Sequence, residues 1–124
     1  MENIKSYFSF ENESKLEGEE IYTLLTEVSI LEAEGILSEQ NIDVSNIYFK
    51  LLSQVQYLEN DFERNQDEIA YIYHLIGYYV GLFLHPFNGD EVAINYINRA
   101  ILIEKNEERV NKYKETIKMI KEEL

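Results

Sequence analysis

The chain has 124 residues, 45% of them hydrophobic, which is enough for one compact domain around a single core and too little for two ordinary ones. It contains no cysteine, so disulfides, thiolate metal sites and a cysteine nucleophile are excluded. The net charge is −13, distributed as −9 over residues 1 to 45, −4 over 46 to 90 and 0 over 91 to 124; such a field repels phosphate backbones and attracts basic surfaces, and nucleic-acid binding is not expected.

One proline and five glycines in a chain rich in Glu, Lys, Leu and Ile indicate an all-α protein. Residues 1 to 17 show no sustained period and are read as an irregular N-terminal segment, with Tyr7, Phe8 and Phe10 apolar enough to dock onto the domain. The start lacks the basic residues and long apolar run of a secretory signal, and a cytoplasmic location is expected.

From Glu19 the apolar residues Ile21, Leu24, Leu25, Val28, Leu31 and Ile36 recur three or four apart, which predicts a helix over 19 to 38 with Glu20, Glu27 and Glu34 on another stripe. Asn41-Ile42-Asp43 breaks the run. A second helix is expected over 44 to 63, carried by Val44, Ile47, Tyr48, Leu51, Leu52, Val55, Leu58 and Phe62. Asn65 followed by Glu68 has the spacing of a capping box. The third helix starts there and ends near His85, because Pro86 disfavours helical geometry in the residue before it. Phe87-Asn88-Gly89-Asp90 is turn chemistry, and Asp90 is placed as the N-cap of a fourth helix that ends near Lys105-Asn106. A fifth runs from about Glu107, with Val110, Tyr113, Ile117, Ile120 and Leu124 on one face. Short connections imply antiparallel neighbours within one domain spanning 1 to 124.

The stretch from Val92 to Asn106 resembles the second helix of a tetratricopeptide repeat. Ala93 and Ala100 stand at its two small positions and Ile97 at the large one between them. Tyr73, Ile76 and Gly77 match the aromatic, aliphatic and small positions of the repeat's first helix, although Gly77 to Ala93 is about one helical turn longer than the usual interval and Lys105 stands where a proline is usual. The resemblance covers residues 70 to 106, one repeat. It implies a right-handed stack of helical hairpins, with a plain helical bundle as the alternative. It also implies a partner-binding groove lined by Tyr71, His74, Tyr78, Gly81 and Leu82.

Spacings of three, four and three place Tyr71, His74, Tyr78 and Gly81 on one face of the third helix. Tyrosine suits a binding surface because it buries a large area and keeps a polar handle. The alternative is that the stripe packs against the first or fifth helix. His74 and His85 are the only histidines and lie roughly 16 Å apart along a helix, too far to share a metal. No zincin motif, phosphate loop or nucleophile elbow is present, so neither a cofactor, a metal nor an enzymatic activity is expected. The uncharged run from Ile69 to Phe87 is at the short limit of a membrane span and is read as a buried helix, with Gly77 and Gly81 admitting a close neighbour.

The expected function is a small acidic module that binds a protein or peptide through Tyr71, His74 and Tyr78. The alternative is an immunity or antitoxin type of inhibitor, whose acidic N-terminal helices, with Glu20, Glu27 and Glu34, cover a basic toxin surface. A homodimer formed through Gly77, Gly81 and the tyrosines is also open.

Overall fold

The computed structural model describes residues 15, 16, 20, 44 to 84 and 86 to 122, with the side chains of 44, 45 and 83 left aside. Every element among the described residues is helical. Four α-helices follow one another: α1, Val44–Leu58; α2, Gln66–Tyr79; α3, Gly89–Ile103; and α4, Glu107–Glu122. Of the helix expected over 19 to 38, only Glu20 is described, helical and exposed. The rest of that helix, with Glu27 and Glu34, lies outside the described residues, as do His85 and the docking expected of Tyr7, Phe8 and Phe10.

Helix α1 buries Ile47, Leu51, Val55 and Leu58, the three-and-four spacing that its sequence shows. It ends five residues sooner than its periodicity suggests, passing into a 3-10 turn at Glu59–Asp61 and leaving Phe62 exposed. Asn65 accounts for the break. Its side-chain amide donates to the carbonyl of Leu58 at 3.0 Å, and its backbone N–H donates to Asp61 and Phe62 carbonyls at 3.1 and 3.2 Å. The residue expected to cap the start of α2 therefore closes the end of α1, and it makes no side-chain capping bond to α2.

Helix α2 is apolar almost all round. Ile69, Ala70, Tyr71, Ile72, His74, Leu75, Ile76, Gly77 and Tyr79 are all buried, which makes it the central element. Its last turn, Val80–Leu84, is a π-helix rather than a continuation of the α-helix. The chain then reverses through a turn in which the Gly89 N–H donates to the Pro86 carbonyl at 2.7 Å and Asn88 adopts a left-handed conformation, φ 57°. Helix α3 starts at Gly89, so Asp90 lies inside its first turn and acts on the helix dipole instead of capping it.

Helices α2 and α3 pack antiparallel: Tyr73 meets Tyr96 with ring centroids 5.9 Å apart, while Gly77 faces Ala93 and Ile97 four residues further on. A Cβ on Gly77 would sit 2.7 Å from the Ala93 carbonyl oxygen and inside the Ile97 side chain. Ala93, Ile97 and Ala100 are completely buried in this seam. Helix α4 runs parallel to α2 on another side. Thr116 and Tyr113 meet His74, and Ile120 meets Gly81, where a Cβ would lie 2.6 Å from Ile120 Cδ1.

The N-terminal segment is attached to α1 through its described residues Lys15 and Leu16. Leu16 is buried against the core, and the side-chain amide of the fully buried Gln54 pairs with both main-chain groups of Leu16, accepting from its N–H at 2.9 Å and donating to its carbonyl at 2.8 Å.

Candidate functional site

The tyrosine and histidine stripe of α2 is the seam with α4. His74 is 3% exposed, its imidazole stacks on Tyr113 at 4.6 Å with a 25° interplanar angle, and its Nε2 is 2.8 Å from Thr116 Oγ1. Tyr71 is buried and Tyr78 half-buried, with ring centroids 6.5 and 6.2 Å from the imidazole. Tyr71 and His74 thus occupy the interior in the described structure, whereas the resemblance places them on an open groove. The physical reason is that α2 is apolar on most of its circumference and needs a covering helix on each side. Tyr113, Thr116 and Ile120, at the three-and-four spacing of α4, provide one.

The hydroxyl of Thr116 also donates to the Lys112 carbonyl at 3.3 Å, so toward His74 it accepts, and Nε2 carries the imidazole proton. Nδ1 is then left as a buried lone pair with no hydrogen-bond partner. Burial, with the Lys112 charge adding to it, pushes the imidazole pKa from 6.5 down to about 3. His74 is a neutral core residue at physiological pH.

Tyr113 links this seam to a second buried group. Its hydroxyl donates to Glu104 Oε1 at 2.7 Å; Arg109 donates from Nε to Oε1 at 2.8 Å and from its terminal nitrogen to Oε2 at 3.0 Å, a two-pronged clamp across the α3–α4 connection. Burial alone would raise the Glu104 pKa, but the hydrogen bonds from Arg109, Tyr113 and the Asn106 amide outweigh it and hold the carboxyl below its ordinary value. Asn106 in turn caps α4, its Oδ1 accepting from the Arg109 N–H at 3.0 Å. This network is a structural lock on the turn.

A second aromatic group lies on a different surface, where α1, α2 and α3 meet. Tyr48, Tyr73 and Tyr96 are half-buried there, and Phe49 beside Tyr48 is 56% exposed. The Arg99 guanidinium lies over two of the rings, 6.0 Å from the centroid of Tyr73 and 5.5 Å from that of Tyr96. Tyr73 donates its hydroxyl to Glu59, and its phenol is pushed up to about 12 by burial and then by that carboxylate. Burial and then the neighbouring Tyr96 raise the Tyr48 pKa as well. Among the described residues Arg99 forms no ion pair, the one such pair being Arg109 with Glu104. Two rings hold its planar set of N–H donors in place, and no described carboxylate is paired with it. Each helix taken alone gave no sign of this group: Tyr73 and Arg99 are 26 residues apart in sequence and come together only through the hairpin seam at Gly77.

Among the described residues there is no cluster of three metal-ligating side chains, and no helix is long and apolar enough to cross a membrane. Glu20 is exposed, as an amphipathic helix would have it. Comparison with protein-family models, curated proteins and solved structures finds no match for this chain.

Proposed function

We propose that this chain is a protein-binding module without catalytic chemistry of its own, receiving its partner on the face formed by Tyr48, Phe49, Tyr73, Tyr96 and Arg99. The observation that carries this reading is Arg99, a guanidinium held over two tyrosine rings and paired with no carboxylate among the described residues, in a chain of net charge −13. Tyrosine and arginine are the residue types that dominate binding energy at protein interfaces. An arginine already immobilised by stacking loses less conformational freedom when a partner's carboxylate or backbone carbonyl engages it. The hairpin of α2 and α3 fits a single tetratricopeptide-like unit, with Gly77, Ala93, Ile97 and Ala100 in its close-packed seam and helices on either side completing the stack. The chain's overall acidity suits a partner that is basic on balance, in a cytoplasmic setting.

The test is capture of binding proteins from the source cell by the parent chain and by the Tyr96→Ala/Arg99→Ala variant, with circular dichroism to verify the fold. The reading expects a protein recovered by the parent and depleted at least tenfold with the variant. Equal recovery by both would rule this face out.

A second reading, inhibition of a basic toxin in the manner of immunity and antitoxin proteins, is favoured by the concentration of charge in residues 1 to 45, where the net is −9. There Glu20, Glu27 and Glu34 would carry the contact, and the partner would survive the Tyr96→Ala/Arg99→Ala substitutions.

A further inference from the structure

The attachment of Leu16 has the form of ligand recognition. One side chain, Gln54, completely buried on α1, pairs with the N–H and the carbonyl of a single residue 38 positions away, at 2.9 and 2.8 Å. A primary amide that satisfies both main-chain groups of one residue reads a peptide backbone without regard to its side chain, as an exposed strand edge does when it takes up an extended segment. Specificity is added on either side. The Leu16 side chain is buried against the apolar core, and the Lys15 ammonium donates to the Ser53 hydroxyl at 2.7 Å. Neither Lys15 nor Leu16 is helical. What lies on Ser53 and Gln54 is thus a short non-helical piece of chain, basic residue followed by leucine, held by three hydrogen bonds and one apolar side chain.

We propose that the Ser53–Gln54 face of α1 is a peptide-binding site occupied in cis by Lys15-Leu16, and that its ligand in trans is a partner segment presenting a basic residue followed by leucine. The seated residues define that chemistry, and the net charge of −13 favours a basic ligand over a neutral one. A tethered occupant competes at an effective concentration set by the 37 residues between Leu16 and Gln54, so a partner displaces it only by making further contacts. Gln54 was not legible as a site in the sequence, where it reads as one polar residue within an amphipathic helix. The inference rests on the Leu16 contacts alone and stands or falls separately from the Arg99 face.

The experiment uses the full chain and a fluorescent, end-blocked Gly-Ser-Lys-Leu-Gly peptide as the probe, which carries the basic residue and leucine without the flanking glutamates, followed by anisotropy. Leu16→Asp vacates the site in cis, and this variant is expected to bind the peptide at least tenfold more tightly than the parent chain does. Adding Gln54→Ala to Leu16→Asp should return binding to the parent level, and a peptide carrying aspartate in place of its leucine should not bind. Equal binding to all three proteins, or binding to none, overturns the proposal. Should Leu16→Asp fail to fold, amide exchange in the parent decides. Leu16 is expected to exchange at least tenfold faster than Ile76 of α2, because the segment leaves without unfolding the core; exchange of the two at one common rate overturns the proposal. A concentration-dependent dimer that Gln54→Ala abolishes would assign the site to a second copy of this chain and overturn the partner ligand.

Discussion

At His74 a hydrogen-bonding side chain is fully enclosed with only one of its two nitrogens satisfied. The cost appears in the pH dependence of stability. Its folded pKa of about 3 lies below the 6.5 of the free side chain, so the unfolded chain binds a proton at this residue first. Its contribution to stability is therefore complete above pH 6.5 and is lost as the pH falls toward 3. Each pH unit in that window is worth roughly 1.4 kcal/mol. Denaturant titrations should show the parent losing about 2 kcal/mol between pH 6.5 and 5 relative to His74→Phe. Parallel pH profiles for the two proteins would mean that His74 is reached by water. Glu104 titrates in the same sense but starts lower, within the acid end of the His74 window: its depressed carboxyl pKa contributes stability that is lost only as the pH falls below about 4.5. Replacing Arg109 with alanine would leave this carboxylate buried with Tyr113 and Asn106 as donors. Because Arg109 is itself 33% exposed, the expected loss is about 2 kcal/mol in urea unfolding, less than the roughly 3–5 of a fully buried pair.

Among the elements, the α2–α3 seam depends on the absence of one carbon. Gly77→Ala would drive a Cβ to 2.7 Å from the Ala93 carbonyl, a backbone atom that cannot swing aside, so the helices must separate. The expected loss is about 1–3 kcal/mol by thermal or chemical unfolding, and a neutral effect would contradict the close approach. Part of this seam was legible in the sequence: Gly77 in an uncharged helix points to a close neighbour, and Ala93, Ile97 and Ala100 alternate small and large at helical spacing, although the interval from Gly77 to Ala93 is about a turn longer than in the repeat they resemble. Helix identity was legible too, because Ile47, Leu51, Val55 and Leu58, or Tyr113 and Ile120, repeat with the period of a helix. The ends were less so. Asn65 and Glu68 have the spacing of a cap for α2, yet the Asn65 amide is drawn back to the Leu58 carbonyl, since the exposed end of α1 and the start of α2 compete for one side chain. Removing that bond with Asn65→Ala should cost about 1 kcal/mol, measured in the same way. Nor could periodicity say which side of α2 would stay open. A helix with apolar residues on nearly every face carries no stripe that marks solvent, and so the Tyr71–His74–Tyr78 line could be read as a groove or as a seam.

For the molecule as a whole, the acidic charge and the proposed contact face lie on different parts of the chain. The acidic excess sits in residues 1 to 45, whereas the face around Arg99 is built from α1, α2 and α3. The two therefore respond differently to salt. A partner docked through Tyr73, Tyr96 and Arg99 should lose less of its association rate as ionic strength rises than one steered directly by the N-terminal acidic residues. Stopped-flow association with the captured partner at low and high salt separates these cases. Charge asymmetry could be counted from the sequence alone, but the arginine resting on two tyrosines could not, because it needs the hairpin to exist before its members meet.

Hydroxyl-radical footprinting of the chain with and without its captured partner tests the binding face most directly. Protection of Phe49, Tyr48, Tyr73 and Tyr96, with Phe87 at the 95% exposed turn still oxidised, is the result expected of a partner seated against Arg99. Unchanged oxidation of those four rings in the complex would contradict it.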